Sequence, residues 1–142
     1  MLYGKNVVLG VSGGIAVYKA CEIVSRLKKL GANVDVIMTD NAREFVTPLT
    51  FQTLAKSAVV TNAFEPVKEF DINHISLAKK ADILVVAPAT ANVIAKFAEG
   101  IADDMLTTTY LASNAQKLIC PAMNCNMSVS YTHLRAHETD QY

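Results

Sequence analysis

The sequence predicts an α/β domain built on a doubly wound parallel sheet, flavodoxin- or Rossmann-like in three α/β/α layers, and three observations predict it. Short apolar runs rich in β-branched residues alternate with helical patterns. Two of those runs, 6–11 and 82–87, show no polar alternate face, as expected of strands covered on both sides. The first run passes through a glycine turn directly into an amphipathic helix, which is how a βαβ unit begins.

Residues 6–11 (NVVLGV) form the first strand. From Ile15 to Leu30 the apolar Ala16, Ala20, Ile23, Val24 and Leu27 recur at spacings of three and four, opposite Arg26, Lys28 and Lys29. This periodicity predicts a helix, which Gly31 ends. The run 33–38 (NVDVIM) is the second strand, and Thr39-Asp40-Asn41 supplies cap-type side chains after it. Thr47-Pro48 opens a second helix to about Lys56, ahead of a weak strand at Val59-Val60. The polar stretch 62–73 reads as a mobile loop, followed by a short helix from Ile75 to Lys80. A buried strand spans 82–87 (DILVVA); Pro88 ends it and Thr90 caps a helix from Ala91 to Ala98. A further helix covers Asp103 to Ala112, and 117–120 (KLIC) is the last strand, stopping at Pro121. The predicted strand order is 3-2-1-4-5, with ligands expected at the carboxyl ends of the strands.

Composition agrees with one globular domain: 142 residues, 51% of them apolar, at a formal net charge of zero. Charge balance without a long Lys/Arg run gives no footprint for nucleic acid or an anionic membrane surface. No apolar stretch reaches the roughly 20 residues of a membrane helix. Three cysteines, Cys21, Cys120 and Cys125, with no leader ahead of them, point to the reducing cytoplasm.

The turn Gly10-Val11-Ser12-Gly13-Gly14 lies between strand and helix, where backbone N–H groups and the helix dipole favour an anion. It is neither a GxGxxG fingerprint nor a Walker loop. Alone it fits a mononucleotide, or a tight turn with no ligand. Thr39, the segment Pro88-Ala89-Thr90-Ala91-Asn92 and the segment Pro121-Ala122-Met123-Asn124 should converge on the same sheet edge, their small residues leaving room for a flat ring. Taken singly, Thr39 and Thr90 read as helix caps. His74, ahead of the short helix, can shuttle a proton near neutral pH or sit solvated without chemistry.

The segments VSGGIAVYK (11–19), NHISLAKKADILVVAPATANVIAK (73–96), GIADDMLTT (100–108) and CPAMNCNM (120–127) together resemble one family. It is the homo-oligomeric flavin-containing Cys decarboxylases, and within them the phosphopantothenoylcysteine decarboxylases of coenzyme A biosynthesis; the resemblance covers residues 4–127. It implies a bound FMN, with Ser12, Gly13, Gly14, Ile15, Thr39 and Pro88, Ala89, Thr90 and Ala91 around its phosphate and ring. By the same resemblance His74 is the active-site base, Asn124 binds and orients the substrate carboxylate, and Met127 completes the substrate motif. In such enzymes the flavin oxidises the cysteinyl thiol to a thioaldehyde, carbon dioxide leaves, and an enethiolate remains. The family reduces that product with a cysteine on a flap beyond the PxMNxxM motif, and this chain has no such cysteine, so incomplete turnover is expected. Phosphopantothenoylcysteine as the small-molecule substrate, and a homo-oligomer that is a trimer or a multiple of it, are implied likewise. The same fold and flavin also serve peptidyl-cysteine decarboxylases, flavin prenyltransferases and non-catalytic flavoprotein subunits.

After Met127 the resemblance stops. Residues 129–139 (VSYTHLRAHET) look like a translated sequencing adapter, so the expected organisation is a C-terminally incomplete FMN-binding domain at 1–128 and a non-native tail at 129–142. His133, His137 and Glu138 lack the order and the third ligand of a metal site, and no metal is expected.

Overall fold

A computed structural model describes residues 1–62, 75–124 and 126 of the chain. Five parallel strands form one sheet: β1 (Asn6–Val11), β2 (Asn33–Met38), β3 (Val59–Val60), β4 (Ile83–Ala89) and β5 (Gln116–Pro121), in the order β3-β2-β1-β4-β5. This is the predicted order and the predicted architecture. The register is continuous where the apolar runs face one another, from Asn6↔Asn33 to Val11↔Met38 on one side of β1 and from Val7↔Ile83 to Gly10↔Val86 on the other.

The helices are α1 (Val17–Lys29), α2 (Pro48–Ala55), α3 (residues 75–80), α4 (Ala91–Glu99) and α5 (Met105–Ala112). Side chains alternate across a strand, so β1 feeds two cores. Val7, Leu9 and Val11 pack with Val17, Ala20 and Val24 of α1 and Phe51 of α2. Val8 packs on the other face with Leu77 of α3, Ile94 of α4 and Leu106 of α5. Burial on both faces is what the unbroken apolar runs encode. Lys80 closes α3 onto β2 through a 2.8 Å ion pair with Asp35.

Strand β5 runs from Gln116 through Pro121 rather than over 117–120, and three other boundaries differ from the sequence reading for a physical reason. Helix α1 starts at Val17, not Ile15, because Gly13 and Gly14 disfavour helix and no side chain caps its first turn. Asp103 lies ahead of α5; Asp104 is the N-cap, its carboxylate accepting 2.7 Å bonds from the N–H and the hydroxyl of Thr107. Strand β4 does not stop at Pro88 but continues to Ala89, across a register shift between Val86 and Ala89. A proline is tolerated at such an irregularity because no ladder bond is asked of its missing N–H. Its carbonyl accepts from Ser12 of β1's loop, and Ala89 pairs with Pro121 beyond it. The stretch 62–73, apart from Asn62, lies outside the described residues.

No helix among the described residues is long and apolar enough to cross a membrane.

Candidate functional site

The carboxyl ends of β1, β2 and β4 meet around Ser12. Its side chain is buried at 2% exposure, donates a 2.6 Å hydrogen bond to the Pro88 carbonyl and accepts one of 3.0 Å from the Thr90 N–H. One hydroxyl thus staples the β1 turn to the β4 turn, 76 residues away in sequence. Thr90 in turn caps α4, its hydroxyl accepting from the Val93 N–H at 3.3 Å. Thr39 extends the β1–β2 ladder, its N–H donating to the Val11 carbonyl at 3.0 Å, while its hydroxyl accepts from the Ala42 N–H at 3.2 Å. Ser12→Ala should destabilise the domain by about 1 kcal/mol, since it removes a buried hydroxyl that bonds the Pro88 carbonyl and leaves the part-buried Thr90 N–H without its acceptor; a urea melt measures the loss, and an unchanged midpoint would show the staple to be idle.

Between these ends the backbone turns through Gly13 and Gly14. A Cβ on Gly13 would lie 2.5 Å from Asn41 Cβ and 2.6 Å from the Asn41 carbonyl carbon, so only glycine lets the β1 and β2 loops approach this closely. The N–H groups of Gly13, Gly14, Ile15 and Ala16 have no acceptor among the described residues. Together they form a run of donors free for a ligand ahead of α1, an arrangement that suits an anion.

Two clefts open on either side of that turn. The larger, about 380 Å³, is polar; Ser12, Gly13, Thr39, Asn41, Asn62 and Thr90 line it together with Asp40, Asn92, Val93, Lys96, Asp103 and Asp104. The smaller, about 290 Å³, is mostly apolar, with walls of Gly14, Ile15, Ala16, Pro88, Thr90, Ala122, Met123 and Asn124. Thr90 borders both. The structure thus brings Ser12, Gly13, Gly14, Ile15, Thr39, Pro88, Thr90 and Asn124 to one edge of the sheet. Ala89 is wholly buried, its carbonyl accepting from the Ala122 N–H, and neither it nor Ala91, the first residue of α4, lines either cleft. His74 and Met127 lie outside the described residues.

Several cleft residues were not singled out by sequence reasoning. Asn62 Oδ1 accepts a 2.7 Å bond from the Met105 N–H at the start of α5, and Lys96 pairs with Asp103 at 3.0 Å. Asp103 and Asp104 did stand in the quoted segment GIADDMLTT, the one signal that could have marked them.

A third, small apolar cavity of about 180 Å³ lies behind Pro88 and includes Cys120. Burial raises the thiol pKa of Cys120 above its ordinary value, and does the same to Cys21, where a backbone hydrogen bond partly opposes it. A raised thiol pKa means the folded chain keeps a proton that the unfolded chain gives up, so this contribution to stability is fully present below the ordinary thiol pKa and is lost as pH rises from there through the raised value of the folded chain. Alkylation of Cys120 by iodoacetamide at pH 8 is therefore expected to run several-fold slower in the folded protein than in urea; equal rates by peptide mass spectrometry would contradict it.

Comparison with known proteins bears on the same chain. Residues 1–139 match the family described as Flavoprotein. The coenzyme A biosynthesis bifunctional protein CoaBC of Bacillus subtilis (strain 168) is 58% identical over 127 residues, which is 89% of this chain and 31% of that protein. The chain therefore spans under a third of the length of this relative. Among solved structures, the FMN-dependent cysteine decarboxylase SpaF superposes with a TM-score of 0.87 at 30% identity, covering 99% of this chain and 81% of that one. A PPC decarboxylase mutant complexed with pantothenoylaminoethenethiol superposes with a TM-score of 0.75 at 25% identity, covering 96% and 79%.

Proposed function

Because this chain belongs to the Flavoprotein family, we propose that it binds FMN at the carboxyl edge of its sheet and is an FMN-dependent carboxy-lyase, decarboxylating 4′-phosphopantothenoylcysteine towards 4′-phosphopantetheine in coenzyme A biosynthesis. The observation that carries the proposal is the pairing of a donor-rich turn, with Gly13 against Asn41, and an apolar cleft of small residues that share Thr90. The residues present fit the cofactor's two halves. The N–H groups from Gly13 to Ala16, with Ser12 and Thr39 beside them, suit a phosphate; Gly14, Ile15, Pro88 and Met123 line a mostly apolar cleft that suits a ring.

Bound FMN would supply the two-electron oxidation that turns the substrate's cysteinyl carboxylate into a leaving group. The chain's own part is positional. Asn124, at the mouth of the apolar cleft, is the proposed partner of the substrate carboxylate, and an amide suits that task because it donates a hydrogen bond without adding charge. His74 is the proposed base that takes the proton lost with substrate oxidation, and Met127 the proposed completion of the substrate contact. Closing the apolar cleft over a ring would exclude water from the reacting atoms.

The identity to the Bacillus subtilis protein and the likeness to the PPC decarboxylase support this substrate over a peptide. A homo-oligomer, a trimer or a multiple of it, is supported by Ile15, which lines the apolar cleft yet is 79% exposed, and by half-exposed Leu118 on the edge strand β5. Unpaired Cys21 and Cys120 support the cytoplasm as its compartment. The test has two stages. Purified protein titrated with FMN should bind about one flavin per chain, read from absorbance and fluorescence. Carbon dioxide release should then be faster from phosphopantothenoylcysteine than from a peptide ending in cysteine. Failure to take up FMN would overturn the cofactor, and the reverse preference would overturn the substrate.

A further inference from the structure

Lys96 supplies the only side-chain cation among the described residues that line the polar cleft, the cleft that also holds Ser12, Gly13 and Thr39. It rises from the last turn of α4 and reaches across to Asp103, with Nζ 3.1 Å from one carboxylate oxygen and 3.0 Å from the other. The pair is unequal. The Lys96 side chain is 25% exposed and Asp103 51%, so the ammonium lies nearer the cleft wall while the carboxylate is half in solvent. An exposed pair of this kind is held weakly and exchanges partners readily. Asp104 next to it is not a competing partner, because its carboxylate is committed to the start of α5.

We propose that Lys96 is a phosphate-binding residue of the cofactor site: when FMN enters the polar cleft, the ammonium turns from Asp103 to the phosphate, and Asp103 holds it in reserve when the cleft is free. This rests on the FMN reading above and extends it to a residue and a partner exchange. A phosphate dianion offers Lys96 a doubly charged acceptor in a partly desolvated cleft, against one solvated carboxylate. The N–H groups of the glycine turn supply direction but only partial charges, so without Lys96 the phosphate's charge would face the carboxylates of Asp40 and Asp103 uncompensated.

The two members of the pair then have opposite effects on FMN, which a merely structural brace would not produce. The experiment compares FMN with riboflavin, the same ring and chain without the phosphate, by fluorescence titration of the unsubstituted chain, Lys96→Gln, Lys96→Arg and Asp103→Asn. Lys96→Gln should weaken FMN about tenfold or more, the scale of one charge-assisted hydrogen bond, and leave riboflavin unchanged. Lys96→Arg should keep most of the FMN affinity, and Asp103→Asn should bind FMN as tightly as the unsubstituted chain or more so. Equal weakening of FMN and riboflavin by both Lys96→Gln and Asp103→Asn would overturn the proposal and leave a brace. FMN affinity unaffected by Lys96→Gln would overturn it alone, whereas an unsubstituted chain that binds no FMN would overturn the cofactor reading with it.

Discussion

Gly13→Ala is expected to abolish useful FMN binding and to lower stability together. The added methyl group would stand 2.5 Å from Asn41 Cβ and 2.9 Å from the Asn41 carbonyl oxygen. No rotamer change relieves that overlap, since the atoms it meets belong to the backbone and first carbon of the β2 loop. The β1 and β2 loops must separate, at about 1–3 kcal/mol for a well-packed site. Parting them turns the N–H groups of Gly13 to Ala16 away from one common point, so FMN affinity should fall at least tenfold, about 1.4 kcal/mol. The chain contains no tryptophan, so flavin fluorescence can be followed without a competing indole signal. A melt and a titration that both match the unsubstituted chain would remove the close approach from the account of the site. Gly14→Ala is the control for the melt, because a Cβ there meets only the Thr90 methyl group, at 4.0 Å.

His74→Asn is expected to leave FMN bound and to cut carbon dioxide release by about 10²–10⁴-fold, the usual contribution of a positioned acid or base. Asparagine keeps much of the size and hydrogen-bonding capacity of histidine but takes up no proton near neutral pH. Flavin absorbance separates the two roles: loss of colour would make His74 part of the cofactor site, and unchanged turnover would dismiss it as the base.

The fold was readable because each strand is a local signal. NVVLGV and DILVVA bury residues on both faces, and the burial of Val8, Leu9, Leu84 and Val86 repeats that pattern without exception. Thr90 was readable as a cap because capping is settled within three residues, as the bond from the Val93 N–H shows. Pro88 misled because its local meaning is termination, whereas the neighbours that let the strand continue, Ser12 and Pro121, are supplied by the topology. Asn62 and Lys96 were missed for the same reason. Asn62 meets the start of α5 43 positions further on, and Lys96 meets Asp103 around the end of its own helix. The glycine turn lies between these cases: its residue types are local, but the demand for glycine at 13 comes from Asn41.

The Ser12 staple also sets an order of events. Its two partners lie 76 and 78 residues along the chain, and β4 can pair with β1 only after that long loop has closed. The first βαβ unit, from Asn6 to Met38, needs only short-range closure, and loop entropy favours it as the earlier structure. The donor-rich turn is then present in the nascent unit, but its second wall is not. Capture of flavin should accordingly lag behind the first gain of secondary structure during refolding and coincide with closure of the sheet, which makes the cofactor a reporter of the longest-range strand pairing among the described residues.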